Sequence, residues 1–99
     1  MTAPLADRIV IPAAAGIRDI KVLKADLDAR LASRSNVEID ASAIEQTDFS
    51  FLQLLVSGFR TFTAEGLGFR LSESSPPLTL ALQRAGIPNA AVGMPHGLE

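Results

Sequence analysis

The sequence switches repeatedly between two hydrophobic periods, and this switching restricts the chain to few folds. One kind of segment is short and β-branched, or carries apolar residues at alternate positions, as a strand does. The other kind carries apolar residues at spacings of three and four, as a helix packed on one face does. Strands that alternate with helices predict an α/β layer, with a mixed, largely parallel sheet and helices packed on it. The predicted strands are 8–12, 36–42 and 68–74, and the predicted helices are 17–34, 50–66 and 74–88.

Local signals mark the ends of the second and third helices. The second helix carries the strongest apolar stripe and is expected to end at Gly66, since glycine suits the left-handed turn after a helix. Ser75 is expected to cap the third helix, with proline in its first turn. Gly86 and Pro88 then stop it. The stripe of the second helix consists of Leu52, Leu55, Phe59 and Phe62.

The length of 99 residues predicts a single domain over residues 1–99. Its packed part is expected to span about residues 8–88. Residues 89–99 are small and weakly patterned, which predicts a weakly structured tail with at best a short edge strand. The final Leu98 and Glu99 match the scar of a tag fusion, so no function is drawn from them.

Composition argues against several kinds of partner and site. The chain has no cysteine, which excludes disulfides, thiol chemistry and the commonest structural zinc ligands. No apolar run is long enough to insert in a membrane and no signal-peptide pattern is present, so a cytoplasmic protein is expected. Nine basic and eleven acidic residues give a net charge of −2 without a basic stripe. A nucleic-acid partner is therefore not expected.

The side chains that could carry catalysis are scattered. His96 is the single histidine and has no neighbour that would complete a metal site or a catalytic triad. Asp40 and Asp48 flank one loop, without a histidine, lysine or second acid arranged for acid–base chemistry. The glycines form no phosphate-binding loop. We therefore expect no catalytic, cofactor or metal site.

The segment QTDFSFLQLL, residues 46–55, joins a short polar loop to the start of the second helix. Ser50 and Gln53 have the spacing of a capping box, which predicts Ser50 as the helix cap. Asp48 or Thr47 would take that position if the helix began earlier. A phosphate on Ser50 would meet unpaired N–H groups and the positive end of the helix dipole. Capping and phosphorylation are therefore both compatible with this segment.

Two phenylalanines flank that serine. Phe51 falls near the buried stripe of the predicted helix. Phe49 precedes the helix, where an exposed aromatic residue often contacts a partner. The competing interpretation is a hydrophobic staple, in which Phe49 packs on Leu54 just before a Ser50 cap.

The ordered set of segments resembles the STAS domain, a family named for sulphate transporters and anti-sigma-factor antagonists. The strand VEIDAS, the loop AIEQTD and the helix FSFLQLLVSGFRTF follow the family order, and a glycine turn and a further strand come next. Ser75-Pro76 and Gly86-Ile87 match the short helix that closes the pattern. The resemblance covers about residues 9–87, and it implies the STAS fold and a module that is not an enzyme.

The resemblance to the antagonist branch also implies a switch. Position by position, Asp48 matches the motif aspartate, Phe49 the first small hydroxyl residue, Ser50 the phospho-acceptor and Phe51 the glycine. A partner serine kinase, which is also the anti-sigma factor, would phosphorylate Ser50 and bind the unmodified form. Phenylalanine replaces a small residue at two of these four positions, which would crowd the approach of a kinase to the serine or reshape the docking surface.

The implied partner is a protein that docks on the N-terminal end of the second helix. It would be an anti-sigma factor and serine kinase or, by resemblance to a divergent branch, a chemotaxis signalling protein. Another class remains open, an accessory STAS subunit of a membrane (lipid) ABC transporter. Many antagonists carry a further strand and helix at the C-terminus, and their absence here leaves a homodimer open. The predicted partner-binding residues are Thr47, Asp48, Phe49, Ser50, Phe51 and Gln53.

Overall fold

A computed structural model describes residues 7–14 and 17–94 of the chain. Among these residues the predicted alternation of strands and helices is confirmed. The three strands form one sheet in the order β1-β2-β3, and both strand pairs are parallel. A 3-10 helix, Asn89–Val92, follows the last α-helix. The elements are β1 Asp7–Val10, α1 Ile17–Ala32, β2 Val37–Ala41, α2 Phe49–Ala64, β3 Phe69–Ser74 and α3 Pro76–Arg84.

The sheet has one apolar face and one polar face. Ile9, Ile39 and Leu71 occupy matching positions on the three strands, and all three side chains are buried. They belong to a single core cluster with the buried residues of the helices. The adjacent matched positions carry Arg8 and Glu38, which form an ion pair at 3.0 Å. This alternation is the period of a strand that packs on one side only, and it places the helix layer on the apolar face.

Asp40 lies at the end of β2 and is one of two buried polar residues in the described chain. Its carboxylate accepts hydrogen bonds from the Ser42 hydroxyl at 2.7 Å and the Ser42 backbone N–H at 2.9 Å. Arg8 donates to its other oxygen. The bonds from Ser42, more than the charge of Arg8, hold the pKa of Asp40 below its ordinary value, although burial opposes them. Asp40 therefore fixes the turn by which the chain leaves the sheet.

Asp40→Asn should lower the free energy of unfolding by about 1–3 kcal/mol at neutral pH, because a charged acceptor of three hydrogen bonds is lost. A lowered pKa in the folded state stabilises the protein above the unfolded pKa, and that stability is lost as pH falls through the folded pKa. The difference between the wild type and Asp40→Asn should therefore shrink in urea titrations as pH falls from the ordinary pKa of 3.8 through the lowered pKa of the folded state. Asp28→Asn, which alters only an exposed pair with Lys24, should change stability by at most a few tenths of a kcal/mol. A difference that stays constant with pH would contradict this role for Asp40.

The segment after α3 corrects the prediction of a weakly structured tail for residues 89–94. Val92 is fully buried in the core, and the 3-10 helix lies against α2 and β3. The carbonyl of Gly93 accepts a hydrogen bond from the backbone N–H of Leu71 at 3.2 Å, so this segment satisfies a donor of β3. Sequence reasoning missed it because NAAVG shows neither hydrophobic period. Residues 95–99, with His96 and the suggested tag scar, lie outside the described part of the chain.

Candidate docking surface at the start of the second helix

Helix α2 begins two residues earlier than the capping-box pattern predicts. Asp48 is the N-cap, and its carboxylate accepts a hydrogen bond from the backbone N–H of Phe51 at 3.2 Å. Ser50 lies inside the first turn with an exposed side chain. The prediction of Ser50 as the cap is therefore wrong, and its alternative, Asp48, is correct. Phe51 lies one helical turn before Leu55, on the buried face of α2.

Backbone hydrogen bonds hold the loop that leads into α2. The N–H groups of Glu45 and Gln46 both donate to the carbonyl oxygen of Ala13, at 2.8 and 3.2 Å. Ile44 is buried in the middle of the same loop. Its N–H group donates to the carbonyl of Ala41. The polar residues before α2 are therefore presented from an ordered loop anchored to the segment that follows β1.

The two phenylalanines have opposite environments. Phe51 is only 1% exposed and belongs to the core, so the inclusion of Phe51 among residues that touch a partner is corrected. Phe49 is the first residue of α2 and is 58% exposed. The predicted staple requires a residue that precedes the cap, whereas Phe49 follows the Asp48 cap. Phe49 therefore presents its ring to solvent at the helix start.

The other predicted site residues lie around Phe49. Ser50 and Gln53 are exposed on the first turns of α2, and Asp48 is exposed at its cap. Thr47 is half-buried, and its hydroxyl donates to the carbonyl of Asp48 at 3.4 Å. The structure thus brings five of the six predicted residues to one surface, with Phe51 beneath it.

Helix α3 supplies a wall of this surface that sequence reasoning missed. As predicted, Ser75 caps α3 by accepting a hydrogen bond from the N–H of Leu78. Leu78 and Leu82 are buried, while Leu80 between them is 44% exposed. The signal was available, because Leu80 lies off the stripe formed by Leu78 and Leu82. A single exposed apolar residue is ordinary, but Leu80 and the exposed Phe49 line the same depression, and contiguous exposed apolar area indicates a contact surface.

The start of α2 and the outer face of α3 enclose an open groove of about 570 Å³, here called the α2–α3 groove. A smaller depression of about 400 Å³ lies on the other side of Phe49, lined also by Gln53, Val56 and Arg60. Phe49 lines both, whereas Ser50 lines neither. The α2–α3 groove is lined by Glu45, Gln46, Thr47, Asp48, Phe49, Leu52, Pro77, Leu80, Ala81, Arg84 and Ala85.

Charged side chains of both signs border the α2–α3 groove. Glu45 and Asp48 come from the loop before α2, and Arg84 from the last turn of α3. Within residues 7–14 and 17–94, none of the three forms an ion pair. The same range contains no cluster of acids and histidines that could hold a metal ion. No helix in it is both long enough and apolar enough to span a membrane.

These features define a small two-layer α/β domain with an ordered, partly apolar surface at one end of its helices. A family model described as "Mlab, STAS domain" matches residues 4–93. The chain therefore belongs to the STAS family, as its resemblance implied. STAS domains are in general regulatory modules without enzymatic activity, and they commonly bind proteins. Searches of curated proteins and of solved structures found no significant match.

Proposed function

We propose that this STAS domain is a protein-binding regulatory module of the anti-sigma-factor-antagonist type. Its partner, a serine kinase or a chemotaxis signalling complex, docks on the N-terminal end of α2 in the cytoplasm. The observation that carries the proposal is the exposed ring of Phe49 on the first turn of a helix whose preceding loop is fixed by hydrogen bonds. Exposed aromatic residues on rigid elements are frequent anchors of protein interfaces.

The docking surface consists of residues with different tasks. Phe49 supplies apolar area, while Thr47, Ser50 and Gln53 supply hydrogen-bonding groups around it. Asp48 holds the start of α2 in place through its bond to the N–H of Phe51.

Phosphorylation of Ser50 would change the charge of this surface. The exposed hydroxyl lies in the first helical turn, where the dipole of α2 favours an anion. The carboxylate of Asp48 already accepts a hydrogen bond from one of the N-terminal N–H groups, that of Phe51. A phosphate would therefore add a charge of about −2 beside an existing negative charge and the ring of Phe49. Such a change should weaken the docking of an apolar or acidic partner surface.

The test uses the wild type, Ser50→Ala and Ser50→Asp as baits for the partner kinase. Ser50→Ala should bind like the wild type, and Ser50→Asp should bind about tenfold more weakly, since a negative charge is added at the interface. Intact-mass analysis after incubation with kinase and ATP should show one phosphate on the wild type and none on Ser50→Ala. Phosphate on another residue, or equal recovery by all three baits, would contradict the switch at Ser50.

The absence of Ser50 from both depressions favours a second candidate function. An accessory subunit of a membrane lipid ABC transporter would dock permanently and need no modification. Ser50 is not among the residues that line the α2–α3 groove, so a phosphate there would not be part of its walls. Isolation of the native complex separates the two candidates, because an ABC-type ATPase that co-purifies in fixed ratio supports the transporter role. A serine kinase or chemotaxis protein in that position supports the signalling role.

A further inference from the structure

Resting on the docking role proposed above, we infer that the α2–α3 groove holds an amphipathic helix of the partner protein. This helix presents an apolar stripe to Phe49 and Leu80, an acidic side chain to Arg84 and a basic side chain to Glu45. The inference specifies the kind of segment that binds and the charges that it carries.

The shape of the groove fits a helix. Pro77, Leu80, Ala81 and Arg84 follow one another at spacings of three and one along α3, so they form a wall of about two helical turns, roughly 10 Å long. A helix docked in such a groove anchors itself through apolar residues spaced i, i+3, i+4 and i+7. The opposite wall offers Phe49 to the same stripe.

Other modes of peptide binding do not fit these walls. Addition of an extended strand requires the edge of a sheet, whereas this groove is lined by α2, α3 and the loop before α2 and by no residue of β1, β2 or β3. Proline-rich segments dock in grooves lined by several aromatic side chains, and Phe49 is the one aromatic residue that lines this groove. The exposed apolar pair of Phe49 and Leu80 therefore suits a helical stripe best.

The charges of the groove specify the polar part of that helix. Arg84, in the last turn of α3, has no ion pair within the described residues. Glu45 and Asp48 line the groove from the loop before α2. A helix with an acidic and a basic side chain would pair its acid with Arg84 and its base with Glu45. Such pairs fix register and specificity more than they add affinity.

The test uses three synthetic helical peptides of about 18 residues, long enough for an alanine-rich helix to form. All carry the same leucine stripe, and their flanking charges are mixed, all basic or all acidic. Each end of the mixed peptide carries one acidic and one basic residue, so an acid can reach Arg84 and a base can reach Glu45 whichever way the helix lies in the groove. Fluorescence anisotropy measures Kd, and ¹⁵N amide shifts locate the site.

The mixed peptide should bind about tenfold more tightly than either uniform peptide and should shift the amides of Phe49, Leu80 and Ala85. In Arg84→Glu the all-basic peptide should become the tightest binder. Arg18→Glu, an exposed arginine of α1 outside the groove, should preserve the original order. Equal Kd values for the three peptides, or shifts outside the groove, would overturn the helix as occupant. The docking role has a separate test, the binding of the native partner by Phe49→Asp. If that variant no longer binds the native partner while the three peptides bind equally, the docking role stands and only the helical occupant is wrong.

Discussion

Gly93→Ala should destabilise the domain by about 3 kcal/mol or more, because two costs coincide at this residue. The backbone of Gly93 has φ of +75°, a region that residues with a Cβ atom rarely adopt. A Cβ atom there would also lie 2.2 Å from the carbonyl oxygen of Phe69 and 3.1 Å from the ring of Phe59. The first contact is to the backbone of β3, so the clash is relieved only if the segment that contains Gly93 moves away from β3.

Gly86→Ala is the matched control for this prediction. Gly86 has nearly the same φ, +73°, but a Cβ atom there would meet nothing within 4 Å. It should therefore cost about 1 kcal/mol, the conformational term alone. Urea titrations followed by far-UV circular dichroism compare the two variants with the wild type. Equal losses for both variants would show that the segment around Gly93 is not packed on β3 as described.

The fold was predictable because each element repeats one period for long enough to be recognised. Strand β2 alternates Val37 and Ile39 with Glu38, and Leu52, Leu55 and Phe62 set the face of α2. Parallel pairing then follows from the alternation of strands and helices. The segment around Val92 escaped prediction because it is too short to show a period. Its burial depends on space left between α2 and β3, which is a tertiary property.

The site was predictable in position but not in detail. The polar cluster before an apolar helix identifies Asp48 and Ser50 as candidate caps, and either residue is chemically competent. The choice between them shows in the folded helix start, where the Asp48 carboxylate accepts from the N–H of Phe51 and the Ser50 side chain is exposed. The contribution of α3 depends on which helices are neighbours. The sequence shows Leu80 as an apolar residue off the buried stripe of α3, but its place beside Phe49, like that of Arg84, follows only from the folded chain.

Phe49→Asp should abolish most binding of the native partner, with a loss of affinity of at least about 30-fold, as for an aromatic anchor of an interface. The variant removes a ring that lines both depressions. It also places a charge in the part of the interface that is desolvated when the partner binds. Folding should be unaffected, because Phe49 lies outside the core and an acid in the first turn of a helix interacts favourably with the dipole. Isothermal titration calorimetry with the purified partner measures the loss, and a urea titration checks stability.

Val22→Asp is the matched control, because Val22 is similarly exposed, at 63%, on α1 and away from both depressions. It makes the same change from an apolar to an acidic side chain and should leave the Kd within about twofold, as expected for a residue outside the interface. Partner binding that survives Phe49→Asp with little change would remove the docking surface from the start of α2. Equal losses in both variants would indicate a general effect of negative charge on association. Only a selective loss in Phe49→Asp agrees with docking on the exposed ring beside the α2–α3 groove.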